Sequence, residues 1–508
     1  MFGSGLGCKR SYLKGHSFEF NGANLQDVFS GVIDLDRSAS SSLYRQLYEQ
    51  LRAAILNGQL SAGTHIPATR AMAGQLGVAR NTVLAAVEQL AAEGFLEARQ
   101  GSGTVVSARL APELTRAARV RPERLSRLPV LSRSGNALAS LRRDTELGES
   151  PRTFMPGIPD LDAFPRDIWA RLLRRSSQKL DPASAAYGAT AGVEPLRRVL
   201  CEHLREARGV TAEPEQIIIT SSAQAALDLL ARGLSEAGDT VWIEDPGYLG
   251  ARAAFMGAGA TIIPVPVDRH GLDPSAGTAQ PKLIYVTPSH QYPTGRLMPL
   301  ARRLALLECA ERHDACIIED DYDSEFQFKG RPVAALQGLD RSGRVLYVGT
   351  FSKILQPGIR VGYVVVQAGL AEPLASMQRN TGQVVASSVQ FALADFIAEG
   401  HLRAHVRRMC TLYEERQSIL LHALDRHFSD QVRVEVPAGG MQFITAFNER
   451  FNDVEAAQKL ADTGIVARPV GKYYLGGEKR QGFLTGFAGY SETAINRSVK
   501  RMAEVLKS

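Results

Sequence analysis

Lys353 closes the segment Val348-Gly349-Thr350-Phe351-Ser352-Lys353, and Asp320 lies thirty-three residues before it in Glu319-Asp320-Asp321-Tyr322-Asp323. A primary amine at a strand end can add to a carbonyl carbon and form an imine. A buried carboxylate can hold a heteroaromatic nitrogen protonated, so that the ring withdraws electrons. These are two of the demands that pyridoxal 5′-phosphate (PLP) makes of a protein. The same cofactor needs a phosphate cup. Arg360, seven residues after Lys353, offers a forked donor suited to a dianion, and the hydroxyls of Thr350 and Ser352 can join it.

Other residues could complete such a site. The apolar run Gln216–Thr220 is followed by Ser221-Ser222-Ala223-Gln224 and a helix-length segment. The free N–H groups of a helix start form a natural anion site. Glu244-Asp245-Pro246-Gly247-Tyr248 ends another run, and Tyr248 could stack on a pyridine ring. Tyr322 could donate to the ring 3′-oxygen. Each part has a plainer reading when taken alone. Lys353 is equally a surface lysine after a strand, Ser222 an ordinary turn residue and Tyr248 a packing residue. The acidic run alone reads as a surface turn or a metal site. The combination is more specific than any part of it.

Strands and helices must bring these parts together. Apolar runs fall at Gln216–Thr220, Thr240–Ile243, Thr261–Val265, Lys282–Thr287, Cys316–Ile318, Val345–Val348 and Val361–Val366. Most are separated by helix-length segments such as Ala223–Ser235 and Leu300–His313. That alternation predicts a mainly parallel sheet covered on both faces, an α/β domain over residues 151–508.

The first hundred residues have a different texture. Leu43, Leu47, Leu51 and Ile55 make one apolar helix face, ended by Asn57-Gly58. Thr69 is placed to cap a second helix carrying Met72 and Leu76. Gly77 supplies a turn, and a third helix runs from Arg80 to Glu93. Helix, turn, helix is the arrangement whose second helix enters the major groove. Phe95–Arg99 and Thr104–Val106 flank Gly101-Ser102-Gly103, a predicted hairpin. By residue types alone, a helical interaction domain is the competing reading.

The strings Leu43-Tyr44-Arg45-Gln46-Leu47, Pro67-Ala68-Thr69-Arg70 and Leu76-Gly77-Val78-Ala79-Arg80-Asn81-Thr82-Val83 resemble the GntR-type winged helix-turn-helix. The resemblance implies DNA contact by Arg70, Arg80, Asn81 and Thr82, with a wing at Gln100 and Gly101. Ala79 stands where many relatives carry Ser or Thr. The later constellation resembles the fold-type I PLP aminotransferases. It implies the imine on Lys353, the pyridine nitrogen on Asp320, the 3′-oxygen on Tyr322 and the ring stack on Tyr248. It puts the phosphate on Ser222, Ala223, Gln224, Thr350, Ser352 and Arg360. The segment Pro288-Ser289-His290-Gln291-Tyr292-Pro293-Thr294-Gly295 departs from the aminotransferase Asn-Pro-Thr-Gly turn, with Tyr292 in place of the Asn; His290 or Gln291 could substitute. The late stretch Gly482–Ala488 lacks the usual carboxylate-binding arginine, leaving Arg468 and Lys472 as candidates.

Both modules in this order resemble the MocR subfamily of GntR regulators over about residues 37–506. The expected fold is therefore multidomain, a small α+β winged helix-turn-helix followed by a large type I aminotransferase fold. The expected function is a transcriptional regulator whose operator binding responds to PLP or its aldimine with an amino compound. The alternative is a working aminotransferase with an appended DNA module. The resemblance also implies a homodimer on double-stranded DNA.

Composition agrees with this class. The chain has 508 residues, 44% hydrophobic and 22% charged, which calls for more than one domain. No run approaches the roughly 20 apolar residues of a membrane span. The net charge of +6 permits nucleic-acid binding without requiring it. Cys8, Cys201, Cys309, Cys316 and Cys410 are scattered and odd in number, which suits free thiols in a cytoplasm and no metal site. Residues 1–36 read as a disordered tail, 37–108 as the DNA-binding domain and 109–150 as a flexible basic linker. That linker holds nine arginines, from Arg109 to Arg143, interrupted by Pro112, Pro122, Pro129 and Gly135.

Overall fold

The computed structural model describes residues 33–99, 103–108, 130–141, 153–186, 188–328, 333–447, 451–477 and 479–507. Two compact units divide between Val130 and Leu131. Gln100, Gly101 and most of the predicted linker lie outside the described residues, as do residues 1–32 of the predicted tail.

The first unit contains helices α1 (Leu43–Leu56), α2 (Thr69–Leu76) and α3 (Arg80–Ala92), with strands β1 (His65–Ile66), β2 (Leu96–Arg99) and β3 (Gly103–Val106). Its core joins Leu47, Leu51 and Ile55 of α1 to Met72, Val83, Val87 and Leu90. The three strands form one antiparallel sheet in the order β1-β3-β2. Gly77 ends α2 with φ +63°, the left-handed conformation that favours glycine. Two expectations change. Thr69 is the first helical residue, the cap position belongs to Ala68, and no side chain caps that end. Residues 33–36, placed in the tail, pack on α1: the Asp34 and Asp36 amides donate to Gln50 at 2.7 Å and Gln46 at 2.8 Å. Ile33 is buried in the same core.

The second unit begins with α4 (Arg133–Ser140), a helix within the predicted linker stretch, capped by Ser132. Helices α5 (Glu194–Arg208), α6 (Ala223–Leu234), α7 (Leu249–Gly257) and α8 (Leu300–His313) follow, with the single turn α9 (Phe351–Ile354). Eight strands interleave with them: β4 (Ile217–Thr220), β5 (Thr240–Asp245), β6 (Thr261–Asp268), β7 (Gly271–Leu272), β8 (Leu283–Val286), β9 (Cys316–Asp321), β10 (Val345–Thr350) and β11 (Gly362–Val365). Their order is β4-β11-β10-β9-β8-β5-β6-β7. The five strands from β10 to β6 are parallel, while β11 runs antiparallel to both neighbours. Alternation sorts the side chains. Ile218, Ile318, Leu346 and Val348 pack with Leu227 and Leu230 of α6, whereas Ile217, Ile219 and Tyr347 join Leu196, Leu200 and Leu204 of α5.

A separate four-stranded sheet of β12 (Val432–Val434), β13 (Gln442–Phe447), β14 (Arg468–Pro469) and β15 (Gly482–Gly486) has the order β12-β13-β15-β14. It packs with α10 (His401–Phe428) and α11 (Glu492–Lys507) around Phe443, Phe483 and Tyr413. None of the described helices is long and apolar enough to cross a membrane.

Candidate functional site

The carboxyl ends of the parallel strands β5, β8, β9 and β10, and of β4, which shares their direction across antiparallel β11, fall at one end of the large sheet, where ligands of open α/β sheets bind. A cavity of about 460 Å³ opens there. Lys353, Asp320, Tyr322, Tyr248, Ser222, Ala223, Gln224, Thr350, Ser352 and Arg360 all line it, although they come from five separate stretches of chain.

The acidic run is divided by strand alternation. Asp320 faces the cavity, where its Oδ2 accepts from the Tyr285 hydroxyl at 2.8 Å. Its other oxygen is buried without a hydrogen-bond partner among the described residues. Burial pushes this carboxyl up to about 7, against the Tyr285 hydrogen bond that favours the ionised form. Glu319 and Asp321 point to the opposite face. Glu319 accepts from the amides of Leu336 and Gln337, each at 2.8 Å. Asp321 binds Arg208 Nε at 2.8 Å and the Tyr347 hydroxyl at 2.6 Å. The Tyr322 phenol is held well above its ordinary range, first by burial and then by the carboxylates of Asp323 and Asp320. It therefore stays a hydroxyl donor at neutral pH.

Lys353 reaches across to the loop before the helix Arg166–Gln178, where its Nζ donates to the Gly157 carbonyl at 2.8 Å. Gly157 has φ +68°, and a β-carbon there would stand 2.6 Å from that nitrogen. Only glycine permits this approach without displacing the lysine. At the other end, Ser222 precedes α6 and its Oγ accepts from the Ala225 amide at 3.1 Å. Thr350 likewise caps α9, accepting from the Ser352 amide at 3.1 Å. Gly362 lies between them in β11. A β-carbon on Gly362 would meet the backbone of Ser222 and Ala223 at 2.6 and 2.8 Å.

Four expected residues are not at the cavity. Gln291 spends its amide inside the turn, donating to the Pro246 and Tyr292 carbonyls at 2.9 and 2.6 Å and accepting from the Thr294 hydroxyl at 2.6 Å. His290 is buried against Asp323 at 2.8 Å and borders a different, smaller cavity. Arg468 pairs in register with Leu484, and Lys472 lies over the Tyr473 ring at 5.2 Å. Tyr292 occupies the wall instead, edge-on to Tyr248, Tyr322 and Tyr473 at centroid distances of 5.4, 5.8 and 5.6 Å.

Tyr285, Gly157 and Gln442 also line the cavity and were not singled out in the sequence. Tyr285 sits in the apolar strand β8, where its only signal is a hydroxyl among aliphatic residues. Gly157 lies in Pro156-Gly157-Ile158-Pro159, which reads as a plain turn.

In the first unit Arg70, Arg80 and Asn81 are exposed and Thr82 is half-buried. Arg80, Asn81 and Thr82 form the first turn of α3, and Ala79 before them makes no side-chain cap. The face left to solvent there is cationic and polar.

A lysine, a buried aspartate and a helix start at one end of the sheet define an aminotransferase-type domain, here preceded by a helix-turn-helix head. The family described as aminotransferase class I and II matches residues 161–501, and the gntR family of bacterial regulatory proteins matches 43–106. A probable rhizopine catabolism regulatory protein, MocR of Rhizobium meliloti, is 43% identical over 93% of this chain and 95% of its own. The pyridoxine biosynthesis transcriptional regulator PdxR of Corynebacterium glutamicum is 32% identical over 91% of this chain and 96% of its own. Among solved structures, an archaeal alanine:glyoxylate aminotransferase superposes with TM-score 0.67 at 28% identity, covering 74% of this chain and 98% of its own. The α-aminoadipate aminotransferase of Thermus thermophilus gives 0.65 at 26%, covering 74% of this chain and 95% of its own. The chain belongs to the MocR-type transcriptional regulators, which join a GntR helix-turn-helix to an aminotransferase class I and II domain.

Proposed function

We propose that this regulator binds PLP in the Lys353 cavity, and that PLP, alone or with a small amino compound, sets its affinity for double-stranded DNA. Asp320 carries the reading. A buried carboxyl with one oxygen satisfied by Tyr285 and the other unpartnered asks for a cationic N–H donor, and a protonated ring nitrogen is one. Such a donor would also return Asp320 to its ionised form.

The other residues fit the remaining parts of the cofactor. Ser222, Ala223, Gln224, Thr350, Ser352 and Arg360 would hold the phosphate with hydroxyls, a helix start and a guanidinium. Tyr248 would cover the ring, and Tyr322 would donate to the 3′-oxygen. When bound, PLP supplies a carbonyl that traps amines and a ring that accepts electrons. Lys353 provides the amine that holds it, and the Gly157 carbonyl orients that amine.

Arg70, Arg80, Asn81 and Thr82 would meet phosphates and base edges, with Gln100 and Gly101 at the wing. A homodimer in the cytoplasm would present two heads to paired half-sites. The ligand can shift DNA affinity only as far as it binds two arrangements of the protein differently.

The test is operator binding at stated salt, with and without PLP and a panel of amines, for the wild type and Lys353→Ala. A PLP- or amine-dependent change in affinity that Lys353→Ala abolishes is expected. No effect of PLP or any amine would defeat the linkage. Sustained keto-acid release from amino acids with 2-oxoglutarate, at ordinary enzyme rates, would favour an aminotransferase with an appended head.

A further inference from the structure

We infer that Gln442 selects the effector, and that the amine it admits carries a neutral hydroxyl donor where an α-amino acid carries its carboxylate. The inference rests on the reading that PLP occupies the cavity.

Gln442 opens β13, is 6% exposed and lines the cavity. Its Oε1 is buried without a hydrogen-bond partner among the described residues. That oxygen lies 3.7 Å from the point where a β-carbon on Gly157 would stand, and Lys353 Nζ lies 2.6 Å from the same point. The amide and the reactive amine therefore flank one spot, which Gly157 leaves open. The strand partner of Gln442 is Gly486, whose lack of a side chain lets the Met155–Pro156 backbone leading to Gly157 pack against it. An amine reaching the Lys353 position must bring its nearest substituents beside Gln442.

The charges around that spot decide what those substituents can be. Among the described residues lining the cavity, Lys353 and Arg360 carry the positive charges, and on the PLP reading both hold the cofactor. Arg468 and Lys472 do not line it. A carboxylate beside Gln442 could accept from the amide Nε2, but it would be buried without a counter-charge and has no hydrogen to offer the unpartnered oxygen. A hydroxyl carries no charge to desolvate and donates to that oxygen directly. Tyr292, on the wall of the same cavity, suits a short carbon skeleton with hydroxyl groups. The chemical class is an amino alcohol.

The experiment titrates the PLP-loaded protein with matched pairs, L-alanine against L-alaninol and β-alanine against 3-aminopropan-1-ol. The visible absorbance of the bound cofactor is followed at fixed pH and salt, and concentrations are compared as free amine. The alcohol of each pair is expected to half-saturate at about tenfold lower concentration, the scale of one buried hydrogen bond. Gln442→Leu should weaken the alcohol response about tenfold, and Gln442→Arg should invert the preference. Should Gln442→Leu fail to take up PLP, Gln442→Glu serves instead and should disfavour the carboxylate further. Arg468→Ala should leave the ratio unchanged. The inference is overturned if the wild type answers the carboxylate as well as the alcohol, or answers neither. A ratio that ignores Gln442 but moves with Arg468→Ala overturns it too. Absence of a cofactor band in the wild type is a different failure, since it removes the cofactor reading itself and the selection by Gln442 with it.

Discussion

Arg208 closes on Asp321 at 2.8 Å, with the two side chains only 3% and 1% exposed. The pair lies on the face of β9 opposite Asp320, so neighbouring aspartates have unlike fates. Arg208 also donates to the Val333 carbonyl and the Ser289 hydroxyl, each at 2.6 Å, which ties α5 to the turn that carries Tyr292. Burial raises the Asp321 carboxyl, but the guanidinium together with the hydroxyls of Ser324 and Tyr347 outweighs it and holds the group below its ordinary range. The cation is used up on one face, and Asp320 keeps its open oxygen on the other.

Removing that cation leaves a buried, unpaired carboxylate. Arg208→Met should therefore destabilise the protein by about 3–5 kcal/mol. Replacing both partners, as in Arg208→Met with Asp321→Leu, should recover at least half of the loss. Denaturant unfolding of the single and double variants measures this, and equal losses would show that the pair is not the source.

Gly362 pairs with Thr350 on one side and Thr220 on the other, beneath the start of α6. Gly362→Ala would push its methyl into the Ser222–Ala223 backbone. A stability loss of about 1–3 kcal/mol is expected from the forced shift. PLP affinity should fall with it, because the displaced amides belong to the proposed phosphate site. Equilibrium dialysis against PLP tests the second effect separately from the first.

Glu244 is buried at the end of β5, hydrogen-bonded to Thr287 and Gln291 through one oxygen only. Burial pushes its carboxyl up to about 7, against those hydrogen bonds, from an ordinary 4.5. Below about pH 4.5 the group is protonated whether the chain is folded or not. As pH rises toward 7 the unfolded chain releases a proton that the folded chain retains, and stability is lost. Glu244→Gln should flatten that decline in PLP-free protein by on the order of 3 kcal/mol between pH 4.5 and 7. Unfolding free energies across that range provide the check, and a parallel decline in the variant would refute the assignment.

Arg80 is exposed at the start of α3. If it meets a DNA phosphate, Arg80→Ala should weaken operator binding and reduce the slope of log affinity against log salt by about 1. A weaker affinity with an unchanged slope would assign Arg80 to a base instead. No change in either would remove it from the interface.

Much of this protein could be read along the chain. Period-four spacing placed Leu47, Leu51 and Ile55 in one core, and the apolar runs foretold seven strands of the large sheet to within three residues at either end. These are local signals, because a helix face or a strand repeats within a few residues. Lys353, Asp320, Tyr322, Tyr248 and Arg360 were singled out because their types are chemically unusual in combination, and the fold gathers them in one cavity.

The partners of those residues were not legible. Tyr285 stands 35 residues from Asp320 and Gly157 stands 196 from Lys353, and no periodicity links positions so far apart. His290 and Gln291 were polar residues near a suitable turn, but which way they point depends on Asp323, Pro246 and Thr294. The sequence by itself determined which elements form and which side chains have the chemistry for a cofactor. Only the tertiary structure decided which of two adjacent aspartates faces the cavity, which glycine makes room for the lysine and which amide waits beside it. Those choices depend on sheet register and close approach between distant segments, and these exist only once the chain has packed.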